Sequence, residues 1–96
     1  MPYVLVEHRV ANYEKFEPAF HDDEARRRRA MSGSKGGTLY RDIADPNRVV
    51  VLFEWDTVER ARAFADSHEL RESVEWSGGA TPPRVTVIGE ILRTDA

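Results

Sequence analysis

The residues of this 96-residue chain best suited to acid–base chemistry are its three histidines, and His8 is the only one predicted on a strand. The apolar run at residues 3–10 alternates like a strand, and His8 shares its side of that strand with Val4, Val6 and Val10. Because histidine titrates near neutral pH, His8 could serve as a general acid or base in a cavity. The alternative is a histidine whose ring nitrogens are satisfied at the edge of the core.

Two aromatic residues, Tyr40 and Trp55, combine an apolar surface with a polar group. Tyr40 could donate a hydrogen bond to a phenol or carbonyl ligand, or it could lie in the core with its hydroxyl at the rim. Trp55 could stack on a planar ligand, or it could anchor the helix that follows it. His8 and Tyr40 are therefore the candidate catalytic residues.

The segment at residues 22–29, DDEARRRR, places three acidic residues four positions before three arginines. Such pairs stabilise a solvated helix by about 0.2–0.5 kcal/mol each, so we interpret the arginine run as a helix surface rather than as a phosphate site. Arg27 differs from its neighbours because a helical wheel places it on the stripe of Phe16, Phe20 and Met31. Its guanidinium either extends along that apolar surface to water or guards the mouth of a pocket.

Composition excludes several classes of function. A net charge of −3 provides no attraction to nucleic acid or to anionic membranes. The absence of cysteine excludes thiol catalysis and thiolate metal sites, and His21 and His68, expected at the surface and near a helix cap, do not share metal-ligand spacing with His8. No apolar run approaches the ~20 residues of a membrane helix, and residues 1–10 do not resemble a signal peptide. We therefore expect no metal, no nucleic-acid or membrane partner, and a cytoplasmic location.

The order of elements predicted along the chain is β-α-β-β-α-β. The first helix is capped by Asn12 and either begins late or bends at Pro18. A turn over residues 44–47 joins the two central strands, and a second helix opens at Asp56 and has a short continuation at residues 69–76. The four strands are expected at residues 3–10, 37–43, 48–55 and 84–92. This order is the ferredoxin-like α+β arrangement: one domain over residues 1–96, with a four-stranded antiparallel sheet and two helices on one face.

The third strand is apolar at every position from Val49 to Phe53, although a strand with one side in water should alternate. Two helices cover one face of a sheet, so apolar residues on the other face predict a second copy packed against it. Glu54 indicates which face this is, because burying a carboxylate under helices is costly. The predicted dimer interface consists of Leu5, Glu7, Arg9, Leu39, Arg41, Val50, Leu52, Glu54 and Ile88.

The positions in the second strand depend on the register of the hairpin. Pairing Ile43 with Arg48 places Tyr40 on the helix face, and Leu39 and Arg41 on the dimer face. A slip of one residue would exchange these two sets, because successive side chains point to opposite faces.

Four segments resemble the antibiotic-biosynthesis-monooxygenase-like family of the dimeric α+β barrel superfamily. They are V-x-N-Y-E-K-F at residues 10–16, S-K-G-G at 34–37, D-P-N-R-V-V-V-L-F-E-W-D at 45–56 and S-H-E-L-R-E at 67–72. The resemblance covers nearly the whole chain and implies a homodimer with a ligand pocket in each subunit between sheet and helices. The residues expected to line that pocket are Trp55, Phe53, Phe16, Phe20, Phe64 and Arg27.

The resemblance implies a small protein that acts on, or binds, an aromatic or polyketide-like molecule. The family includes cofactor-independent monooxygenases of polycyclic phenols, isomerases and cyclases, haem-degrading enzymes, and members with no known activity. Haem degradation is disfavoured, because the Trp and His used by those enzymes fall at Phe64 and Val74 and the first strand has no Asn. Two hypotheses remain: an enzyme without a cofactor, in which His8 and Tyr40 polarise or deprotonate the substrate, and a non-catalytic binding or assembly module of the same fold.

Overall fold

Seven helices and strands form over residues 1–68, 70–71 and 82–96, the part of the chain that the computed structural model describes. They are β1 (Pro2–Arg9), α1 (Tyr13–Phe20), α2 (Asp23–Ser32), β2 (Ser34–Arg41), β3 (Arg48–Trp55), α3 (Val58–Ala65) and β4 (Arg84–Gly89). The strands form one sheet in the order β2-β3-β1-β4, and every neighbouring pair is antiparallel. This confirms the predicted ferredoxin-like α+β fold. The helical continuation predicted at residues 69–76 lies largely outside the described residues, although Leu70 and Arg71 are helical.

The single helix predicted after Asn12 is in fact two helices, α1 and α2. The prediction of one continuous apolar stripe along it is therefore wrong. Asn12 is extended but makes no side-chain cap, whereas the carboxylate of Asp22 accepts a hydrogen bond from the Ala25 N–H (3.1 Å) and starts α2 anew. The break ends the helical periodicity, so a wheel drawn through α1 does not continue into α2. Phe16 is buried as expected, but Met31 is 75% exposed.

The hairpin register differs from the predicted one by one residue. Arg41 pairs with Val49 and Leu39 with Val51, so Ile43 does not pair with Arg48. The cause is the loop at residues 42–47, where the Asp42 carboxylate accepts hydrogen bonds from two successive backbone N–H groups at 2.8 and 3.1 Å and ends β2 early. The same two hydrogen bonds lower the pKa of Asp42.

The faces predicted for β1 and β3 are confirmed. Under the helices lie Val4, Val6, His8, Val49, Val51, Phe53 and Trp55, each at most 6% exposed. Phe16 of α1, Ala61 and Phe64 of α3, and Val10 and Leu70 belong to the same core. Leu5, Val50 and Leu52 point to the opposite face and are only half-buried.

Three hydrogen bonds hold the C-terminal end of α2 against β3 and α3. The last carbonyls of a helix have no hydrogen-bond donor within the helix, and here residues of β3, α3 and the segment between them provide the donors. The donors are Arg60 Nη2 to Met31 O (2.9 Å), Trp55 Nε1 to Ser32 O (3.2 Å) and the Asp56 N–H to Gly33 O (3.0 Å). Gly33 ends the helix at a φ of 116°, and a Cβ there would overlap the Asp56 carboxylate. The position of α2 is therefore set by the core strand that it faces.

Within the described ranges, none of the helices has both the length and the apolar character needed to cross a bilayer.

Candidate ligand-binding site

The interior beneath the helices is filled by a connected series of aromatic rings. The ring centroids are separated by 5.1 Å for His8–Phe16, 6.4 Å for Phe16–Phe20, 6.0 Å for Phe20–Phe53, 5.4 Å for Phe53–Phe64 and 4.4 Å for Trp55–Phe64. Trp55 is fully buried, and its ring stacks on Phe64 of α3, the helix that follows it, while its indole N–H donates to Ser32 O at the end of α2. It therefore anchors the following helix, one of the two alternatives considered for it, and α2 as well. Phe16, Phe53, Phe64 and Trp55, predicted to line a pocket, belong to one buried apolar cluster, and their role in a pocket stays a prediction.

A cavity of about 500 Å³ lies at the edge of this interior, between α2 and the start of β2, and we call it the α2–β2 cavity. Its wall consists of Phe20, His21, Asp23, Arg26, Arg27, Arg29, Ala30, Ser34, Lys35, Gly36 and Gly37. The volume falls within the range of about 300–1,000 Å³ that is typical of small-molecule sites. Two of the residues predicted to line a pocket, Phe20 and Arg27, are on this wall.

Gly37 explains why the rings approach the edge strand so closely. A Cβ at this position would lie 2.7 Å from Cδ1 of Phe53 and 3.6 Å from Cζ of Phe20. Gly36, by contrast, has open space around the direction of a Cβ, at a φ of 139° that favours glycine. Because Gly36 and Gly37 have no side chains, they leave free volume at the cavity that larger residues would fill.

Arg29 is a residue of this site that sequence reasoning missed, because it was interpreted as part of a solvated arginine run. It is half-buried, its Nη2 donates to Phe20 O (2.8 Å), and its Cζ lies 5.4 Å and 5.1 Å from the ring centroids of Phe20 and Phe53. These are distances at which a guanidinium is attracted to an aromatic face. The sequence offered only the spacing that places Ala25, four residues earlier, on the same side of a helix as Arg29. In the structure both are half-buried.

The wall of the α2–β2 cavity is positively charged. Arg26, Arg27, Arg29 and Lys35 face a single carboxylate, that of Asp23. Asp23 is already in contact with Arg26, with 3.5 Å between Oδ1 and Nη1. Neither Arg27 nor Lys35 has a hydrogen-bond or ion-pair partner among the described residues, and both are exposed. An excess of positive charge on a concave surface attracts anions.

Of the three histidines, His21 is the one on the cavity wall. Its Nε2 lies 3.8 Å from Oε1 of Glu17, one helical turn earlier. The expectation that His21 is exposed is correct, yet its position at the end of α1 also borders the cavity. The break between α1 and α2, which the sequence interpretation did not include, is what places it there.

His8 faces the helices as predicted but is not on the cavity wall. It is 6% exposed, and neither ring nitrogen has a hydrogen-bond partner within the described part of the chain. Burial lowers the pKa of His8, since a charged ring would lose its water, and this favours the neutral form. The alternative of a histidine satisfied at the core edge is therefore wrong, and the catalytic role of His8 stays a prediction.

Tyr40 lies on the face of the sheet away from the helices, so its predicted placement is wrong. It pairs with Val50 and is 52% exposed. The same register places Leu39 and Arg41 on the helix face of the sheet. The Arg41 guanidinium lies 3.9 Å from the ring centroid of Tyr13 in α1, and its Nε donates to the Pro46 carbonyl. Leu39 and Arg41 therefore do not belong to the open face.

The other seven residues of the predicted interface do lie on the open face: Leu5, Glu7, Arg9, Val50, Leu52, Glu54 and Ile88. Part of the charge on this face is paired within the chain. Arg48 lies 3.5 Å from carboxylate oxygens of both Glu7 and Asp42, and Arg9 is paired with Asp45.

In the described part of the chain no group of three or more histidine or carboxylate side chains has the arrangement of a metal site.

No protein-family model matches the chain, and no curated protein sequence matches it. Solved structures do. A protein of Bordetella bronchiseptica, named as a candidate antibiotic biosynthesis monooxygenase, is 24% identical with a TM-score of 0.75, over 95% of this chain and 97% of that one. SnoaB of Streptomyces nogalater, a cofactor-independent oxygenase, is 14% identical with a TM-score of 0.70, over 99% and 97% of the two chains.

A monooxygenase of Streptomyces coelicolor, solved in complex with the ligand nanaomycin D, is 21% identical with a TM-score of 0.67, over 97% of this chain and 92% of that one. At identities this low, the structural likeness establishes the fold alone. It extends over almost the full length of each protein. The chain thus has the fold of the antibiotic biosynthesis monooxygenases, and the resemblance found in the sequence is confirmed at that level.

Proposed function

We propose that this chain is a cytoplasmic homodimer that binds an aromatic or polyketide-like small molecule in the α2–β2 cavity and oxidises it as a cofactor-independent monooxygenase. The observation that carries the proposal is the cavity itself, about 500 Å³ in volume and walled on its inner side by the Phe20 ring. The fold supports it, because one protein of the same fold is a cofactor-independent oxygenase and another is solved with nanaomycin D bound.

Oxidation without a cofactor requires the substrate to supply the electrons. Conversion of a polycyclic phenol to a quinone takes up one O₂ and releases one water, and it starts with loss of a proton from the substrate. A general base must come within about 2.6–3.2 Å of the substrate atom that carries that proton. His21, which lies on the cavity wall with its Nε2 near Glu17, is better placed for this than His8, which is buried in the core. The same binding and deprotonation would also serve an isomerase or a cyclase.

The dimer is supported by the open face of the sheet. Leu5, Val50 and Leu52 are half-buried there, and Tyr40 and Ile88 are 52% and 40% exposed. An apolar area of this kind on an antiparallel sheet is covered when two copies pack face to face. Leu52→Glu should convert a species of twice the 11.0 kDa chain mass into a monomer in sedimentation analysis, without a loss of helix content. Wild-type protein that sediments as a monomer at micromolar concentration would contradict the dimer.

A non-catalytic binding module is the second candidate, and one observation favours it. His8 and Tyr40, the residues with the most evident acid–base or hydrogen-bonding chemistry, lie on opposite faces of the sheet, and neither borders the cavity.

Oxygen uptake with a polycyclic phenol such as 1-naphthol, in the presence of a metal chelator, tests the proposal. We expect O₂ consumption with quinone formation, loss of both in Ala30→Trp, which fills the cavity, and retention of both in Ala63→Trp, on the exposed side of α3. Ligand binding without O₂ uptake would favour the module. Absence of binding, or binding that Ala30→Trp does not weaken, would contradict both candidates.

Single histidine variants assign the base. His21→Ala should abolish turnover while His68→Ala, an exposed histidine away from the cavity, should retain it. His8→Ala that keeps full turnover would remove His8 from the mechanism.

A further inference from the structure

We infer that the α2–β2 cavity selects an anionic aromatic ligand, carrying a carboxylate or an ionised phenol, and that Arg27 and Lys35 bind its charge. The inference rests on the proposed function, since it takes this cavity to be the ligand site, and adds the charge of the ligand to it.

The charge of the cavity is opposite to that of the whole chain. The sequence has a net charge of −3, yet four cationic residues and one carboxylate line the cavity. The carboxylate of Asp23 is shared with Arg26, so it does not neutralise the remaining cations. A local reversal of sign on a concave surface concentrates anions there, even though the protein as a whole repels them.

Arg27 and Lys35 come from two different elements, α2 and β2, and meet at one cavity. The described residues provide neither with an ion pair or a hydrogen bond. Like charges on one cavity wall repel each other, and an anion between them removes that repulsion. The guanidinium supplies a planar pair of donors for a carboxylate, and the ammonium adds a second charge.

The cavity is too large and too apolar on one side for an inorganic ion alone. Phe20 forms the inner wall, backed by Phe53, and the Arg29 guanidinium lies over both rings at 5.4 and 5.1 Å. A planar ligand would contact the Phe20 ring while its acidic group reached the cations at the mouth. Gly36, with open space beside its Cα, lets a ring approach the backbone. Phe20 would therefore contact the ring of the ligand, and Arg27 and Lys35 would bind its charge, on different parts of the same cavity wall.

A pair of probes with the same rings separates the two contributions: anthraquinone-2-carboxylate and the neutral anthraquinone-2-carboxamide, titrated calorimetrically into the intact protein. At low salt the carboxylate should bind about tenfold more tightly, and the difference should shrink at about 0.3 M salt because exposed charges are screened. Arg27→Gln and Lys35→Gln should each weaken the carboxylate about threefold and leave the carboxamide unchanged.

Arg28→Gln is the matched control. It removes the same charge from the same helix, but Arg28 is paired with Glu24 (3.3 Å) and is not on the cavity wall, so both probes should bind as they do to the wild type. Thermal unfolding verifies that each variant is folded. If a cavity variant does not fold, the salt dependence of the two probes on the wild type still decides the outcome.

Equal affinity for the two probes at low salt would overturn the inference and leave the proposed function standing, provided that Ala30→Trp abolishes both. Binding of neither probe would overturn the proposed function together with the inference. A carboxylate preference that Arg28→Gln reduces as much as Arg27→Gln would reflect long-range charge only, and would also overturn it.

Discussion

The interior around Trp55 and the corner around Arg29 lie on the same side of the sheet, yet one is closed and the other is open. At the centre, Val4 of β1 and Val51 and Trp55 of β3 are buried in one apolar cluster with Ala61 and Phe64 of α3. At the edge, β2 contributes Gly36 and Gly37, and α2 has no fully buried side chain. The difference shows that the packed core and the cavity are separate regions of this fold: apolar side chains fill the centre, and glycines at the edge leave room for the cavity.

The largest effect should come from the closed region. Trp55→Ala removes the ring stacked on Phe64 at 4.4 Å and the hydrogen bond to Ser32 O, so we expect the free energy of unfolding to fall by about 3–5 kcal/mol. Urea denaturation measures this. Met31→Ala, at a side chain that is 75% exposed, should change it by less than about 0.5 kcal/mol. Comparable losses in the two variants would refute the assignment of Trp55 as the anchor of α2.

A second substitution, at Gly37, should affect both the packed core and the cavity, because Gly37 borders both. Gly37→Ala introduces a Cβ on the cavity wall that would lie 2.7 Å from Phe53 Cδ1, so the Phe53 ring must shift, at a cost of about 1–3 kcal/mol. Chemical denaturation and probe titration should show reduced stability and weaker binding together. Gly89→Ala, where nothing lies within 4 Å of a Cβ, is the control and should alter neither. Unchanged binding in Gly37→Ala would mean that the space beside Gly37 is not used by the ligand.

Arg29 connects the two regions, and its loss should have an intermediate effect. Arg29→Met keeps the apolar stem but loses the hydrogen bond to Phe20 O and the attraction to two rings, together about 1–2 kcal/mol of the free energy of unfolding. Arg28→Met, at an exposed position on the same helix, should cost much less. If both substitutions had the same effect, Arg29 would belong to the solvated surface after all.

The smallest effect is a pH dependence that belongs to the closed region alone. Burial lowers the pKa of His8 below 6.5, so the unfolded chain binds more protons than the folded one just below that pH. Stability from this group is therefore complete above 6.5 and is lost as the pH falls toward the folded-state pKa. Urea midpoints measured downward from pH 7 should decline in the wild type and in His21→Ala, and should decline less in His8→Leu. Identical slopes in wild type and His8→Leu would assign the dependence elsewhere.

Local patterns predicted the order of the strands and the two faces of β1 and β3 well. Alternation along a strand fixes which side chains share a face, and Glu54 sufficed to say which face the helices cover. The register of β2 could not be predicted in the same way. It depends on where the hairpin loop begins, and that is decided by hydrogen bonds to the Asp42 carboxylate, with the result that Tyr40 and Arg41 exchange faces.

The candidate site was only partly predictable, since Phe20 and Arg27 were expected at a pocket and Arg29, His21 and Lys35 were not. The continuous helix drawn through residues 12–31 caused the omission. Once Asp22 starts a second helix, Arg29 turns toward the Phe20 and Phe53 rings and the end of α1 becomes a wall of the cavity.

The sequence by itself determined the ferredoxin-like fold, the apolar surfaces on both sides of β3, and the exclusion of thiol chemistry, because periodicity and composition are local properties. Only the tertiary structure decided which arginine reaches the aromatic rings, which histidine borders a cavity, and that positive charge from α2 and β2 collects in one place. These properties arise where separate elements meet. Their positions follow from helix ends and strand register, which hydrogen bonds between distant residues determine.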